Sequence, residues 1–598
     1  MTNPVADAPL DKVPQANERA RLMARCASMR SDFNAAKPVL QDIGEYMAPY
    51  RGQWSPPGAQ STRGKRKGLK IINNVAGRSF KILSSGMMAG LTSPSRPWFK
   101  LTTPDPDVAE YTPHRAWLDD FARSMRGVFN RSNLYNVLPS IYGELGPFGT
   151  AALQEVEDPQ SVVRFYPYTI GSYGLAQDDR MIVDTFERPY MSTVRNVVAR
   201  FGLKSPGLSR KTSEAYKAGR LEDSVLVQHL IEPNYNRKEG AFGFASMPFV
   251  EEYWEVNGDS QEPLARTGIS ERALFAPRWD VTGNDLWGTG LGHEVLGDVK
   301  QLQFKERRSE DVLEKHTAPP LEAGAALRGK RISLLAGDVS YTDPATTGGS
   351  GIKPIVTTHP NAFQFATQNI GEMERRIRSA LYEDLFLMLA NDTRSGITAR
   401  EVEERHQEKM LVLGPVLERL NEELLDPLID RTSAVMQRRS VPFWRGMVSG
   451  IPLVPPPPKG LEGADLRVEY TSVLAQAAKA VNTRSLEAFG QFVGGLAAVF
   501  GPTVLDKVDP DQMVDEYADA QGVPARVVRS DDDVAATRDA RRQKESMQQM
   551  AQMAPALKDA SAALKDAATT VPQDGSLLEN LAGAGGPAGL ATPLNAGA

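Results

Sequence analysis

Between about residues 147 and 256 the chain reads as strands, and on both sides of that stretch it reads as long helices. This segregation constrains the fold more than any single motif. The runs "TAALQEV", "VVRFYPY", "MIVDTFERPY", "DSVLVQHLIEP" and "FVEEYWEV" are β-branched and aromatic, bounded by Gly, Pro, Asn and Asp. One helix interrupts them at about 192–201. Upstream, Leu22, Cys26, Met29, Phe33, Leu40, Ile43 and Met47 recur at helical spacing, which predicts a helix from about Asn17, its cap, through the mid-forties. Further helices are predicted over 73–91, 114–132 and 134–146, with Trp98 and Phe99 as core anchors between them. Strands gathered in one block among helices predict an α+β fold.

Beyond residue 290 helices dominate. Leu291, Val295, Val299, Leu302, Ser309, Val312 and His316 keep one face, ended by "TAPP". Short strand signals, "KRISLLAGDVSYTD" and "GIKPIVTT", run to about 359. Ile370, Met373, Ile377, Leu381, Leu385 and Met388 then form one stripe. The stretch "NDTRSGITAREVEER" (391–405) follows, a polar turn running into a helix start. Thr398 and Glu401 stand at capping-box spacing. Gly414-Pro415 should kink the long helix beyond, because proline removes a backbone hydrogen bond and crowds the preceding turn. "VPPPPKG" (454–460) reads as a stiff polyproline linker, and 471–530 as short helices. Residues 531–569 keep a rough 3–4 spacing compatible with an inter-subunit coiled coil, which Pro555 interrupts. Residues 1–16 and 570–598 have the composition of disordered segments.

Composition narrows the function. With 598 residues the chain exceeds what one core usually supports, and several domains are expected. The net charge of −5 lacks the basic excess of a protein that grips DNA by its phosphates. Cys26 is the only cysteine, so no disulfide framework or thiolate metal cluster can form within one chain, which suits a reducing cytoplasm. "MTNPVADAPLDKVPQ" lacks an apolar core, so no signal peptide is expected, and no apolar run is long enough to predict a membrane span.

The motifs that could carry catalysis fail their context. "GAALRGK" (324–330) has phosphate-loop spacing up to Lys330, but Arg331 stands where a Mg²⁺-holding hydroxyl is needed, and no buried strand precedes it. "WGTGLGHEVLG" (287–297) runs G-x-G-x-G through Gly288, Gly290 and Gly292, the wrong spacing for a dinucleotide loop. Its His293-Glu294 pair lacks the second histidine of a zinc-protease helix, because Gly297 occupies that place. His114, His229, His293, His316, His359 and His406 are scattered and read as structural. No catalytic, cofactor-binding or metal-binding residue is expected. Arg375, Arg376 and Arg378 alternate with acids and predict ion pairs between helices. The basic loop with Arg63, Lys65, Arg66, Lys67 and Lys70 is the one local cluster that could touch phosphate. Arg394, at a loop tip between long helices, is a second candidate.

The segments "SSGMMAGLTSPSRPWFKL" (84–101), "GPFGTAAL" (146–153), "FYPYTIGSYGLAQDDRMIVDTFERPYMST" (165–193) and "SGITAREVEERHQEKMLVLGPVLERLNEELLDPLIDR" (395–431), in this order and spacing, resemble the head-to-tail connector, or portal, proteins of short-tailed bacteriophages. The likeness spans roughly residues 15–530. It implies a ring, typically a dodecamer, at one capsid vertex. Double-stranded DNA would pass through the ring. A separate terminase motor would dock on it, then tail adaptor and tail tube proteins, with major capsid and scaffolding proteins around it. It implies a virion component assembled in the host cytoplasm, with no cofactor and no catalysis of its own.

Laid on this chain, the resemblance implies an α/β wing over 17–290, a first stem helix over 291–316 and a small α/β clip over 317–360. A second stem helix follows over 361–390, then a tunnel loop over 391–396. The kinked long helix and linker would cover 397–459, a helical crown 460–530 and a helical barrel 531–569. The DNA-channel candidates are then Asn391, Asp392, Thr393, Arg394, Ser395 and Gly396, with Arg63, Lys65, Arg66 and Lys67 as weaker ones. Two other readings compete. A DNA packaging or processing enzyme would need an intact nucleotide or metal site. A scaffold-type assembly protein would not be expected to carry the β-rich block.

Overall fold

The computed structural model describes residues 18–57, 67–105, 108, 111–317, 321–322, 353–354, 360–390, 413–440, 454–461, 463, 466–471, 489–497, 500–501, 507–520, 529 and 534–548. The fold is mixed helix and sheet, in two compact units, Met1–Val523 and Pro524–Ala598.

Helix α1 (Glu18–Met47) buries every residue of its expected stripe, from Leu22 and Cys26 to Ile43 and Met47. Helix α2 (Val75–Leu91) is apolar on the face that carries Phe80, Leu83 and Met87. After strand β1 (Phe99–Thr102) come α3 (Thr112–Arg131) and α4 (Leu134–Phe148), the latter buried nearly all round. Trp98 stacks on Phe129 and Phe99 meets it edge-on in the main core, as their bulk suggests.

Two antiparallel sheets follow. The first joins β2 (Ala152–Asp158), β3 (Val162–Tyr168) and β9 (Leu274–Phe275) in the order β3-β2-β9. The second has the order β4-β5-β6-β7-β8, from Gly174–Gln177, Val183–Thr193, Ser224–Pro233, Phe249–Glu255 and Ala265–Ile269. All five expected strand runs are strands. The block reaches further than 256, because β8 and β9 are short and carry few β-branched residues. The helix over Val194–Phe201 (α5) starts with Thr193 accepting the Asn196 N–H, and α6 (Arg210–Lys217) starts with Ser209 accepting the Thr212 N–H.

The larger sheet is held differently on its two faces. One face packs on α1 through Leu22, Cys26, Met29, Leu230 and Trp254, framed by the ion pairs Arg30–Glu187 (2.6 Å), Arg21–Glu232 (3.0 Å) and Arg25–Glu232 (3.3 Å). The other face packs on α5 and α6 through Val194, Val197, Val225 and Val227.

Beyond the sheets, α7 (Leu291–Thr317) and α8 (Pro360–Ala380) pack against each other, and a two-residue ladder, β10 (Leu321–Glu322) with β11 (Lys353–Pro354), lies between them in sequence. The single helix expected over 361–390 is interrupted. Tyr382 has a positive φ of 54°, and a separate helix α9 (Glu383–Ala390) begins after it. Such a backbone is costly for a residue with a Cβ, about 1–2 kcal/mol. It is held by burial on both sides, with Leu381 and Leu385 each 0% exposed. The apolar stripe runs unbroken across this corner, so the break leaves no mark in the spacing.

Residues 413–420 are α-helical, Asn421–Leu425 form a π turn, and α10 (Asp426–Ser440) continues the run. The kink expected at Gly414-Pro415 rests on the turn before it, which lies outside the described residues. The "VPPPPKG" segment is no free spacer. Val454 and Leu461 are buried, and Trp117 on α3 donates to the Pro455 carbonyl at 2.9 Å. The chain then pairs β12 (Arg467–Tyr470) antiparallel to β1, so the region expected as a helical crown from 460 begins as a strand of the body. Residues 489–497 and α11 (Pro510–Ala520) are helical. In the second unit, 534–548 is a helix exposed along almost its whole length. The clip residues 323–352 and all of 549–598 lie outside the described residues.

Candidate functional site: a helical hairpin and its anchorage

The α7–α8 pair is an antiparallel hairpin with a fixed register. Arg376 meets Asp298 at 2.6 Å and Lys305 reaches the Asn369 side-chain oxygen at 3.1 Å. Further out, Leu321 pairs with Pro354. Asp298 to Lys305 on one arm and Arg376 to Asn369 on the other span the same number of residues, so the two helices keep one register. The ion pair on Arg376 is the kind that alternating charges on 372–378 imply.

The hairpin has two unlike halves. In the inner half Leu291, Val295, Val299 and Leu302 of α7 meet Met373 and Ile377 of α8, all buried. From Phe304 outward α7 has no fully buried residue. Ser309 and Val312 keep the spacing of the stripe but only half-buried, and His316 is exposed. Fourteen residues at 1.5 Å rise carry this outer half about 20 Å. Phe304 is 59% exposed, Phe365 66% and Leu313 48%. Residues 304–317 contain four basic and four acidic side chains, so the outer half has no net charge. Large apolar groups among balanced charges suit a protein surface; a phosphate-holding face would be basic.

Asn73 ties this hairpin to the body. Its side-chain amide donates to Glu306 on α7 at 2.6 Å and to Glu374 on α8 at 2.7 Å. Its side-chain oxygen accepts the Val75 N–H at 3.0 Å, at the start of α2. Gln303 completes the knot, accepting from the Ile72 and Asn73 N–H groups at 2.7 and 2.9 Å and donating to the Asn73 carbonyl at 2.8 Å. Nearby, Lys300 meets Asp42 at 2.6 Å, and Ser79 on α2 donates to the Glu383 carboxylate on α9. The sequence reading missed Asn73, counting it as part of the helix; the Asn-Asn pair at 73–74 was the available signal.

A second clamp joins the sheets to the long helix. Arg278 is almost wholly buried; its guanidinium meets Glu423 at 2.6 Å and its N–H donates to the same carboxylate at 2.7 Å. It also donates to Gln177 at 3.1 Å and to the Met181 carbonyl at 2.8 Å. Arg419 meets Asp280 at 2.9 Å. Further along, Arg431 and Arg438 reach Glu271, and Arg438 reaches Glu157 at 2.7 Å. Thr432 donates to Glu155 at 3.0 Å. Burial pushes the Glu155 carboxyl up to about 8, against the pull of Arg431 and that hydrogen bond.

A polar knot in the larger sheet has the residue types of a catalytic centre. Glu251 accepts from His229, Tyr253 and Gln154, each at 2.8 Å, and Arg200 donates to the Tyr253 hydroxyl at 2.6 Å. Burial alone would raise Glu251, but the hydrogen bonds from His229, Gln154 and Tyr253 hold it at about 2. Burial lowers His229, against the hydrogen bond and the field of Glu251. His229 is 2% exposed and its ring lies flat on Tyr253 at 4.4 Å. Every group is spent on a neighbour, and nothing projects toward a substrate.

His114 and His293 also have structural partners. His114 faces the Val108 and Lys459 carbonyls, and His293 accepts the Gly290 N–H. His359 and His406 lie outside the described residues. The glycines of "WGTGLG" serve a chain crossing. A Cβ on Gly149, whose φ is +75°, would sit 2.3 Å from the Gly288 carbonyl oxygen, and one on Gly290 would sit 2.5 Å from the Gly149 nitrogen. Among the described residues no group of three or more His, Cys, Asp or Glu could hold a metal, and no helix is long and apolar enough to cross a membrane.

Of the residues singled out from sequence, Asn391, Asp392, Thr393, Arg394, Ser395 and Gly396 lie outside the described residues, as do Arg63, Lys65, Arg66 and the 324–330 loop. Lys67 is described and exposed. Lys70 is held by Glu45 at 2.5 Å and lies over the Tyr46 ring. Residues 67–73 run to the Gln303 knot, so the basic loop re-enters the body beside the base of the hairpin.

Residues 19–528 match the model of a family described as bacteriophage head to tail connecting protein. The portal protein of Salmonella phage epsilon15 is 38% identical over 568 residues, which cover 95% of this chain and 99% of that protein. The probable portal protein of Bordetella phage BPP-1 is 36% identical over 539 residues, covering 90% and 93%. A chain from the virion of a native gene transfer agent particle overlays with a TM-score of 0.30 at 12% identity, covering 70% of this chain and 86% of its own; that likeness carries no argument.

Proposed function

Because this chain belongs to the bacteriophage head-to-tail connecting proteins, we propose that it works as a ring of identical subunits whose helical hairpins form the stem. The protein is a phage portal: a virion component at the capsid vertex, serving genome packaging. The finer assignments are our reading. The observation that carries them is the hairpin, whose inner half is buried in its own subunit while its outer half exposes Phe304, Leu313 and Phe365. In a ring the same face is met by a second copy, which removes those side chains from water at about 25 cal/mol per Å² of apolar surface.

On this reading α7 and α8 are the stem helices and 317–360 the clip, where a terminase motor and later a tail adaptor dock. The loop 391–396 faces double-stranded DNA. The ring has twelve subunits. Capsid and scaffolding proteins surround it, and assembly takes place in the host cytoplasm. The chain acts as a structural component; ATP hydrolysis belongs to the motor. A net charge of −5 fits a conduit that must let phosphates slide, since each phosphate neutralised steepens binding. Arg394 is the proposed transient contact. Particles built with Arg394→Ala should package and eject DNA at altered rates; wild-type rates in both would refute the loop assignment. Asymmetric reconstruction of whole particles should find the chain at one vertex, and its presence at all vertices would refute the portal placement.

A further inference from the structure

A cavity of about 270 Å³ opens between the 178–183 turn, Arg272 and the π turn of the long helix, beside the Arg278–Glu423 clamp. Its charges divide into committed and uncommitted groups. Arg278 is consumed by Glu423, and Arg419 by Asp280. Asp178, at the edge, accepts the Arg180 and Ile182 N–H groups. Left over among the described residues that line the cavity are two guanidiniums, Arg180 and Arg272, and one carboxylate, Glu422; none of the three makes an ion pair, and Asp178 and Asp184 add their fields from just outside it. Arg272 is only partly exposed, and burial pulls it below its ordinary value despite the fields of Glu423, Asp178, Asp184 and Glu422. A half-buried guanidinium without a partner is costly, because desolvated charges need hydrogen-bonded counter-charges.

We infer that this cavity binds inorganic monohydrogen phosphate between Arg180, Arg272 and Glu422. The two planar guanidiniums suit bidentate contacts with its oxygens. Glu422 sets the selectivity. A carboxylate accepts a hydrogen bond from the P–OH of monohydrogen phosphate, whereas sulfate and the phosphodiesters of DNA have no proton to donate and are repelled. Met181, at the left-handed φ of 61°, presents its carbonyl to Arg278 and fixes the turn that carries Arg180. The inference does not depend on the portal assignment, since it uses only groups within one chain.

Calorimetric titration of the full chain with sodium phosphate at neutral pH, and with sodium sulfate at matched ionic strength, tests it. Phosphate should bind at one site per chain, with sulfate at least about tenfold weaker, because a site built around a donated proton rejects an analogue without it. Arg272→Gln should weaken phosphate at least about tenfold, and Glu422→Gln should narrow the gap between the anions. Arg180→Gln, at an exposed side chain, gives a second reading should Arg272→Gln fail to fold, and should also weaken phosphate. A short DNA duplex should not displace phosphate. Equal binding of phosphate and sulfate to the wild type, no binding of phosphate, or unchanged affinity in both arginine variants would overturn the site. Displacement by the duplex would overturn its selectivity for a protonated anion.

Discussion

The inner and outer halves of helix α7 share one sequence stripe and live in different environments. Leu291 to Leu302 are buried in their own subunit, whereas the continuation through Ser309, Val312 and His316 is half-buried or exposed, with Phe304 and Leu313 beside it. Periodicity reports that a face is apolar. It cannot say whether the same chain or another copy covers it. The difference lies in what surrounds the helix: α1, α4 and α8 pack against it, α1 and α4 at its inner half through Ile43 and Pro147, and Asn73 ties it down at Glu306.

Four experiments can break or sharpen this contrast. Truncating the inner half should cost most. Ile377→Ala, at 0% exposure, should destabilise the subunit by about 2–5 kcal/mol in denaturant unfolding, since it leaves a cavity in a packed core. Removing the knot should cost less: Asn73→Ala orphans parts of Gln303, Glu306 and Glu374 and should cost about 1–3 kcal/mol. If Asn73→Ala is neutral, the hairpin is not anchored where we place it.

Acidity separates the body from the stem in a third way. Glu155 is raised to about 8 by burial, so between the ordinary carboxylate value and that point the folded chain keeps a proton the unfolded chain has lost. Stability should therefore fall as pH rises through this window. Glu155→Gln should flatten that slope, read as the pH dependence of the unfolding midpoint; an unchanged slope would mean that Glu155 is ionised in the fold. The smallest effect on the isolated subunit should come from the outer half. Phe304→Ser should shift its stability by no more than about 0.5 kcal/mol, as surface changes usually do. The same change together with Phe365→Ser should impair assembly, measured by sedimentation; unimpaired assembly would remove the outer half from the subunit interface.

Much of the fold was legible because local signals agreed with it. The stripe from Leu22 to Met47, the five strand runs and the anchors Trp98 and Phe99 all fall where periodicity and bulk put them. Three features were hidden for physical reasons. The break at Tyr382 preserves i, i+4 spacing across Leu381 and Leu385, and no glycine or proline marks it. The "PPPP" segment looks like a spacer until Trp117 is seen to hold its carbonyl, a contact across more than 300 residues of sequence. Arg278 and Glu423 pair across 145 residues of sequence, and no local pattern announces such partners. The polar centres were hidden for another reason: Asn73 works through two distant glutamates, and its neighbourhood reads as an ordinary helix start.

The account rests on one claim, that the exposed outer half of the hairpin is covered by a second copy in a closed ring. Cryo-electron microscopy of the purified full-length protein tests it most directly. A ring with a central channel, with Phe304 and Phe365 buried between neighbouring hairpins, is the predicted result. A compact monomer, or a ring in which both phenylalanines face solvent, would contradict it.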